Sequence, residues 1–432
     1  MLKSLKLRDI GPAPRLQIEL SDRLNIFTGD NGLGKTFILD IAWWALTGEW
    51  AGLPARPRPD NGAKSRTGFQ PQIKFQLSGK NGRARPPIIS RFNYQRQEWR
   101  RPVEDIPVPG LVIYARVDGG FSVWDPARKS LIIESNSSTP APWGRPPRSS
   151  FHFTPDTLWN GLSEIGATLC NGLIRDWVAW QSQPKTSPFD VLKTVIASLA
   201  PSPDEPIGIG SPVRLSAVDV RDIPTLTLPY GDVPVVHASA GMKRIVSLAY
   251  LLTWSWDEHK RAAQFVKQET AKQILLLVDE IESHLHPRWQ RTLLPSLLDV
   301  GRALRAEVDL QVLATTHAPL VLASAEALWD ESRDSLFLFE FEGRANSVSL
   351  RRLPWAKQGD AVAWLTSPVF GLDQARSREA ENAIEAAEAF MRGEFEDLPA
   401  GLKTKEEIHE ALKQSLPGLD PFWPRWIVEV KP

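Results

Sequence analysis

Hydrophobic and polar residues alternate along the first part of the chain, with the period of two that is typical of half-buried strands. Residues 2–10 and 16–20 show this pattern on either side of a Gly-Pro pair, which predicts two strands joined by a turn. A third short strand is predicted at 24–27, and it runs into a glycine-rich turn. The apolar stretch at 37–46 has the length of a helix.

Strands and helices continue to alternate along the rest of the sequence. Apolar spacing predicts helices within 155–200, over 242–260, from about 287, and twice in the tail after 356. Further strands are predicted at 72–77, 88–92, 111–114, 121–124, 274–278 and 310–314. Because this alternation favours helices packed on a sheet, we expect an α/β layer fold.

The composition is that of an ordinary globular protein. Of the 432 residues, 42% are hydrophobic, and 51 basic residues balance 51 acidic ones, so affinity for a polyanion cannot come from net charge. Cys170 is the single cysteine, which excludes an intrachain disulfide. No apolar run approaches the roughly 18 residues of a membrane span, and the start lacks a signal-peptide core, so we expect a cytoplasmic protein.

Charge is nevertheless distributed unevenly. Residues 56–101 contain twelve Lys and Arg against Asp60 and Glu98, a local charge of +10. Since neutralisation of phosphates by Lys and Arg drives non-specific binding, this window is a candidate nucleic-acid surface. The alternative is an ordinary solvated β lobe whose charge is balanced by acids elsewhere in space.

The glycine-rich turn after the third strand fits the pattern G-x-x-x-x-G-K-[ST]. Glycines let backbone N–H groups turn inward around phosphates, and the helix that follows presents its positive end. Lys35 would place a charge on the β- and γ-phosphates, and Thr36 would place a hydroxyl on Mg²⁺. The predicted phosphate loop comprises Gly29, Asp30, Asn31, Gly32, Leu33, Gly34, Lys35 and Thr36.

Two later strands also end in residues suited to phosphate chemistry. The strand at 274–278 is continuously apolar, as in the centre of a parallel sheet, and Asp279 and Glu280 follow it. At the carboxyl end of such a strand, Asp279 could hold Mg²⁺ and Glu280 could activate the attacking water as general base. His317 follows the strand at 310–314 and could donate a hydrogen bond to the γ-phosphate.

These motifs together resemble the ABC-type ATPases of the AAA family. The run at 279–287 is similar to the Walker B and D-loop of the RecF/SMC-like and OLD-like branch, and the run at 238–243 is similar to the signature motif. The resemblance implies an α/β P-loop ATPase head with a mixed central sheet, a β lobe, a helical insertion and a small helical C-terminal extension. It also implies that the chain uses ATP and Mg²⁺ and forms a head-to-tail homodimer with two ATP molecules at the seam. Ser239 and Gly241 would bind the γ-phosphate held by the partner subunit, whereas Asp279, Glu280 and His317 would act within their own subunit.

The match departs from the transporter ATPases within the signature. Ala240 stands where the motif has its second glycine, and Met242 and Lys243 replace the usual glutamine continuation. The family also has a Q-loop glutamine, a nucleotide and metal ligand that follows a strand between the phosphate loop and the signature. Gln95 and Gln97 both qualify, and Gln95 is the slightly preferred candidate.

We expect four segments along the chain. They are an N-terminal ATPase lobe with the phosphate loop and the basic β region (1–134), an inserted helical and β subdomain (135–235), a C-terminal ATPase lobe with the signature, Walker B, D-loop and His317 (236–355), and a helical tail with a Trp-rich end (356–432). A Pro/Ser/Arg-rich stretch at 135–150 is predicted to be a loop or linker.

Features that the sequence lacks exclude some classes of ABC-type ATPase. About two hundred residues separate the phosphate loop from the signature, too few for a long coiled-coil arm, and the tail lacks the acidic triad of a Toprim domain. The chain instead resembles ATPases of bacterial anti-phage modules (Septu-like, retron-linked and PARIS-like), in which a separate HNH or Toprim nuclease is held by the ATPase. The alternative is a RecF-like repair or recombination ATPase that binds DNA.

Two further features have open interpretations. His284 and His286 beside Glu282 have a spacing compatible with a metal site, although the D-loop resemblance accounts for the same run. Large aromatic residues near the C-terminus could dock on the ATPase core or serve as anchors for an effector. These residues are Phe422, Trp423 and Trp426.

Overall fold

The computed structural model describes residues 1–58, 70–79, 83–101, 108–129, 148–164, 166–183, 187–202, 204–304, 308–343 and 347–429. Nearly all of the predicted linker at 135–150 lies outside these ranges. The chain divides into two compact units, Met1–Lys357 and Gln358–Pro432, and the finer division into four segments stays a prediction. None of the helices in the described ranges has the length and apolarity needed to span a bilayer.

The strands of the described residues are β1 (Leu2–Arg8), β2 (Arg15–Glu19), β3 (Leu24–Gly29), β4 (Gln72–Leu77), β5 (Ile88–Asn93), β6 (Glu98–Arg100), β7 (Leu111–Ala115), β8 (Phe121–Trp124), β9 (Ser150–Phe153), β10 (Leu162–Glu164), β11 (Ala167–Cys170), β12 (Gly208–Ile209), β13 (Thr225–Leu228), β14 (Gly231–Pro234), β15 (Gln273–Val278), β16 (Asp309–Thr315), β17 (Asp334–Glu342) and β18 (Ser347–Leu353). The helices are α1 (Lys35–Thr47), α2 (Pro155–Asn160), α3 (Leu173–Gln181), α4 (Phe189–Ser198), α5 (Ala240–Phe265), α6 (Pro287–Gln290), α7 (Leu293–Leu304), α8 (Pro319–Ala325), α9 (Ala361–Leu365), α10 (Arg378–Arg392), α11 (Lys405–Ser415) and α12 (Phe422–Glu429).

The larger unit contains an eight-stranded mixed sheet in the order β18-β17-β3-β16-β15-β7-β8-β9. The five strands from β17 to β7 are parallel, and the outer strands β18, β8 and β9 pair antiparallel. The parallel strands are almost continuously buried, as their apolar sequences require. The predicted α/β fold with a mixed central sheet is therefore confirmed.

A second sheet, antiparallel and in the order β2-β1-β4-β5-β6, packs on the other side of α1. Its inward side chains join those of α1 and of the central sheet in one continuous hydrophobic core. Trp44 of α1 shows this packing, since its ring lies 6.0 Å from Phe75 of β4 and 6.5 Å from Trp99 of β6. The helix that begins at the phosphate loop is thus held between two sheets.

The helical pattern predicted within 155–200 is wrong over its middle part. Residues 162–164 and 167–170 pair as the antiparallel strands β10 and β11 instead of forming a helix. Glycines with positive φ break the helical periodicity before, within and after this hairpin, at Gly161 (110°), Gly166 (82°) and Gly172 (87°). Apolar residues recur at similar intervals on both sides of these glycines, because the two flanking helices and the hairpin each bury one face.

The smaller unit is built from α10, α11 and α12, which share their own hydrophobic core. Trp426 and Phe422 of α12 are 2% and 9% exposed within that core, and the indole N–H of Trp423 donates to the carbonyl of Pro417 at 2.8 Å. This corrects the expectation for Phe422 and Trp426, which are buried against the helices of their own unit. The sequence pattern did not show that these aromatic side chains face the other helices of the same unit.

Candidate functional site

The phosphate loop connects the end of β3 to the start of α1, as the sequence predicts. Gly29 and Gly34 have φ angles of 123° and 104°. A Cβ at Gly34 would come within 2.6 Å of Cγ of Pro12 in the β1–β2 turn, and a Cβ at Gly29 would collide with the backbone carbonyl of Phe339 in β17. Backbone conformation and close packing therefore both require glycine at these two positions.

Lys35 is buried at the first position of α1. Its Nζ donates to the backbone carbonyls of Gly29 and Asp30 at 2.8 and 2.7 Å. Burial lowers the pKa of Lys35, while nearby carboxylates, with that of Glu280 the largest contributor, act in the opposite direction. The ammonium group is thus held over the loop, where phosphate oxygens of a nucleotide could replace the carbonyls as its partners.

The carboxyl ends of three neighbouring strands bring the predicted metal ligands together. Thr36 Oγ1 donates to Asp279 Oδ2 at 2.8 Å, and Thr315 Oγ1 donates to the other oxygen, Oδ1, at 2.7 Å. Asp279 is only 1% exposed, so both of its oxygens are oriented by hydroxyl groups. A hydroxyl and a carboxylate beside a phosphate loop are oxygen ligands of the kind that Mg²⁺ takes together with substrate phosphates.

Glu280 follows Asp279 in a left-handed conformation, with a φ of 44° that is uncommon for a residue with a long side chain. Its backbone N–H donates to Thr315 Oγ1 at 2.7 Å, which fixes the turn. Among the described residues, no hydrogen bond or ion pair engages its carboxylate. The backbone of Glu280 is therefore held in place while its side chain keeps both oxygens available.

His317 lies after β16 and is positioned by Glu282. The Glu282 carboxylate accepts from the hydroxyl of Thr316 at 2.8 Å and from the backbone N–H of His317 at 2.5 Å. Burial, and after it the nearby charge of Lys35, lowers the pKa of His317. The imidazole is therefore neutral at physiological pH, a state in which one ring nitrogen can donate a hydrogen bond.

The signature residues lie at the start of α5, at the surface of the chain. Ser239 is exposed and caps the helix, since its Oγ accepts the backbone N–H of Met242 at 3.3 Å. A Cβ at Gly241 would come within 2.8 Å of the carbonyl oxygen of His284, which belongs to the turn after Glu280. The helix start and the D-loop are thus packed backbone to backbone, and the role of Ser239 and Gly241 toward a partner subunit stays a prediction.

Gln95 does not join the other predicted site residues. It lies in the exposed turn between β5 and β6, where its backbone N–H donates to Asn93 Oδ1 at 2.9 Å. Gln97 in the same turn accepts from Arg56. These strands form the outer end of the second sheet, whereas β7 is the strand adjacent to β15. The correction follows from sheet order, because the end of β7 leads to Arg116 and contains no glutamine.

Two arginines near the site were missed by the sequence reasoning. Arg116, just after β7, donates to the carbonyls of Ala51 and Phe153 at 2.8 and 3.2 Å. Arg244 of α5 lies over the ring of Phe121 at 5.6 Å, and both of its terminal nitrogens are buried without a hydrogen-bond partner among the described residues. Burial lowers the pKa of Arg244, although Asp118, Asp279 and Glu280 act to raise it. Arg116 follows β7, the strand adjacent to β15, and Arg244 directly follows the signature run at 238–243. The contacts of both arginines are with residues distant in the sequence, so no local motif indicated them.

Among the described residues of the basic window at 56–101, two arginines are turned toward backbone carbonyls of neighbouring segments. Arg101 is largely buried and donates to the carbonyls of Ala45 and Leu46 at the end of α1, and Arg58 donates to the carbonyl of Pro12 at 2.7 Å. Residues 59–69 and 80–82 of the window lie outside the described residues. Charge counted along the sequence therefore overstates what this segment offers to one ligand.

The histidines of the D-loop do not form a metal centre with other ligands in the described part of the chain. His286 instead caps α6, with Nδ1 accepting the backbone N–H of Arg288 at 3.3 Å, and Glu282 is engaged by Thr316. The D-loop interpretation accounts for this run better than a metal site does.

Asp40 on α1 is expected to make stability depend on pH. Its carboxylate accepts from the Tyr114 hydroxyl at 3.1 Å, and burial raises its pKa from 3.8 to about 6. The folded chain thus keeps a proton that the unfolded chain loses, so stability falls as pH rises from about 4 to about 6. At about pH 7 in the absence of nucleotide, Asp40→Asn should raise the free energy of unfolding by about 1–3 kcal/mol relative to its effect at pH 4.

Urea unfolding of both proteins at the two pH values measures this difference. Asp204→Asn, at an exposed position, is the matched control and should show no such pH dependence. An Asp40→Asn effect that is the same at both pH values would show that Asp40 is ionised throughout.

Comparison with known proteins gives matches to two sequence families over separate segments of the chain, and it also finds related proteins. Residues 4–105 match a sequence family described as "AAA domain", and residues 229–323 match one described as "AAA domain, putative AbiEii toxin, Type IV TA system". Septu protein PtuA of Bacillus thuringiensis is 23% identical over 409 residues, covering 92% of this chain and 91% of that protein. Septu protein PtuA of Bacillus mycoides (strain KBAB4) is 37% identical over 98 residues, covering 23% of this chain and 12% of that protein.

Solved structures add a more distant similarity. The SMC head domain from Thermotoga maritima aligns with a TM-score of 0.41 and 14% identity, covering 82% of this chain and 99% of that chain. The two matched segments contain the phosphate loop on one side and the signature, Walker B and D-loop on the other. The predicted resemblance to AAA-family ATPases, and to the Septu-like ones in particular, is confirmed.

Proposed function

We propose that this chain is the ATP-hydrolysing subunit of a bacterial anti-phage defence complex, which dimerises around ATP and controls a separate effector nuclease. The observation that carries the ATPase part is the contact of Thr36 with Asp279 at 2.8 Å. It joins the phosphate loop to the Walker B strand at the point where a magnesium-bound triphosphate would lie. Similarity to Septu protein PtuA of Bacillus thuringiensis over about nine tenths of the chain supports the defence role.

Different residues of the site bind the phosphates, hold the metal ion and transfer the proton. Lys35 and the positive end of α1 bind the phosphates, and Thr36 and Asp279 are the residues that would hold Mg²⁺. When bound, Mg²⁺ supplies charge neutralisation at the β- and γ-phosphate oxygens. Glu280 accepts the proton of the attacking water, and neutral His317 donates a hydrogen bond toward the γ-phosphate, where negative charge accumulates.

The site is completed by a second copy of the chain. Ser239 is exposed on the surface, and helix α5 presents its N-terminus there, a position at which backbone N–H groups attract anions. Closure of two copies head to tail would bring each Ser239 to the partner's γ-phosphate. ATP binding therefore closes the dimer, and hydrolysis reopens it.

The link to an effector is tested by co-purification. We expect the chain, co-expressed with the products of neighbouring genes, to elute with a small nuclease of the HNH or Toprim type, and the amount of bound nuclease to differ with and without ATP. Lys35→Ala is the matched control and should lose the response to ATP. Elution of the chain alone under both conditions would contradict the effector role.

A further inference from the structure

A single hydroxyl group contacts both of the acidic residues that follow β15. It belongs to Thr315, the fully buried last residue of β16. Thr315 Oγ1 donates to Asp279 Oδ1 at 2.7 Å and accepts the backbone N–H of Glu280 at 2.7 Å. A hydroxyl has one proton to donate, and a backbone N–H can only donate. The hydroxyl proton is therefore directed at Asp279, and both contacts have a fixed direction.

The backbone on either side of Glu280 is hydrogen-bonded to neighbouring strands. The N–H of Asp279 donates to the carbonyl of Ala115 at 2.9 Å, and the N–H of Ile281 donates to the carbonyl of Thr315 at 3.1 Å. Between them, the N–H of Glu280 donates to a side chain instead of a carbonyl. The hydroxyl of Thr315 thus replaces a backbone acceptor at the residue where the chain leaves the strand.

The left-handed conformation of Glu280 depends on such contacts. A residue with a long side chain rarely has a positive φ, and it keeps this conformation where surrounding contacts enforce it. The φ of Glu280 is 44°, and its carbonyl accepts the N–H of Ser283 at 2.8 Å. Among the described residues, its carboxylate has no hydrogen bond. The backbone contacts with Thr315 and Ser283 therefore set the direction in which the carboxylate leaves the turn.

We propose that Thr315 is a positioning residue for ATP hydrolysis, because its hydroxyl orients the carboxylate of Asp279 and holds the backbone of Glu280 at the same time. Oδ1 of Asp279 is engaged by Thr315, so Oδ2 is the oxygen that faces the predicted metal ligand Thr36. Loss of the hydroxyl would release the metal ligand and the general base together. The inference rests on the proposed ATPase function, whereas the contacts themselves do not.

The proposed role depends on the hydroxyl of Thr315 and not on its shape. Valine has nearly the shape of threonine but lacks the hydroxyl, whereas serine keeps the hydroxyl and lacks the methyl group. A residue that only fills space would be replaced well by valine and poorly by serine. A positioning residue predicts the opposite order, in which serine works and valine does not.

Steady-state ATP hydrolysis tests this order. Thr315→Val should lower kcat by about 10–100-fold and change KM by less than about threefold, because a displaced general base slows the chemical step more than it weakens binding. Thr315→Ser should keep kcat within about threefold of the wild type. Thr28→Val is the matched control and should be as active as the wild type. Thr28 is fully buried on β3, the strand paired with β16, and its hydroxyl has no hydrogen-bond partner among the described residues.

Hydrogen exchange measures the same contact without nucleotide. The amide of Glu280 should exchange faster by about tenfold or more in Thr315→Val, and Thr315→Ser should restore its protection. The amide of Leu276, in the middle of β15, should stay protected in each variant, which shows that the sheet is intact. If Thr315→Val does not fold, Thr315→Ala replaces it, since alanine and serine differ by one oxygen atom.

Two results would overturn the role of Thr315: an unchanged kcat in the variant without the hydroxyl, or a serine variant that is less active than the valine variant. Unchanged protection of the Glu280 amide in Thr315→Val would also contradict it. A wild-type protein that does not hydrolyse ATP would contradict the proposed function, and with it any role of Thr315 in hydrolysis. An active wild type with an equally active Thr315→Val would contradict the role of Thr315 alone.

Discussion

Replacing Glu280 with glutamine is expected to lower the rate of ATP hydrolysis by about 10²–10³-fold while ATP binding is retained. Glutamine keeps the size and shape of the side chain but cannot accept the proton of the attacking water. Thr315 would still hold the backbone of this turn, because that contact uses the N–H of residue 280. Phosphate release under saturating ATP measures the loss.

The same variant should accumulate as a closed dimer, because hydrolysis would be the step that reopens the interface in the proposed cycle. Size-exclusion chromatography with ATP and Mg²⁺ should show the dimer for Glu280→Gln and a mixture for the wild type. Glu331→Gln changes an exposed carboxylate away from the site and is the matched control. Normal turnover by Glu280→Gln would show that another group is the general base.

Lys35→Ala is expected to weaken ATP binding by about 100-fold, the loss of a charge-assisted hydrogen bond of about 2–3 kcal/mol. The ammonium group is already positioned over the loop by the carbonyls of Gly29 and Asp30. Equilibrium binding of a fluorescent ATP analogue measures the change. Lys193→Ala, which removes an exposed lysine paired with Asp190, should bind as the wild type does.

Mixing two inactive variants tests whether the signature acts on the partner's nucleotide. Ser239→Arg blocks the signature and Lys35→Ala removes phosphate binding, so each variant alone should be inactive. In a mixed dimer one of the two sites would be intact, so an equal mixture, in which about half of the dimers are mixed, should recover activity that neither variant has alone. If both motifs served the same subunit's nucleotide, the mixture would remain as inactive as its components.

The sequence predicted the site best where chemistry and local structure coincide. The phosphate loop needs glycines at positive φ between a strand and a helix, and that requirement is visible in eight consecutive residues. Asp279 and Glu280 were equally accessible to sequence reasoning, because acids directly after a continuously apolar strand lie at the edge of a parallel sheet where ligands bind. The structure then joins the two motifs through Thr36.

Features that depend on the order of strands could not be predicted in this way. The strand adjacent to β15 is β7, so the residues beside Walker B are Arg116 and its neighbours, while the preferred Gln95 lies on the second sheet. Arg244 is buried against Phe121 of β8, a contact between residues more than one hundred positions apart. Periodicity gives each strand and its inward face, but pairing decides which strands are neighbours.

The hairpin formed by β10 and β11 shows a limit of predicting secondary structure from apolar spacing. Its apolar residues repeat at intervals that a helix and a short hairpin both satisfy, and the glycines at 161, 166 and 172 were the local evidence against a helix. A charge count along the basic window is limited for a related reason, because successive residues of a strand point to opposite faces of the sheet. The nucleic-acid surface stays a prediction.

The tight fit of Gly241 against the carbonyl of His284 has a consequence for how two nucleotides would communicate. The turn that contains His284 leads back within four residues to Glu280, so a shift of the signature helix moves the segment that aims the catalytic carboxylate. In a head-to-tail pair, occupancy of one pocket would pull on the helix of the opposite chain and thereby on that chain's own reaction centre. The two hydrolysis events would then be cooperative, because no side chain lies between Gly241 and the turn to absorb the motion.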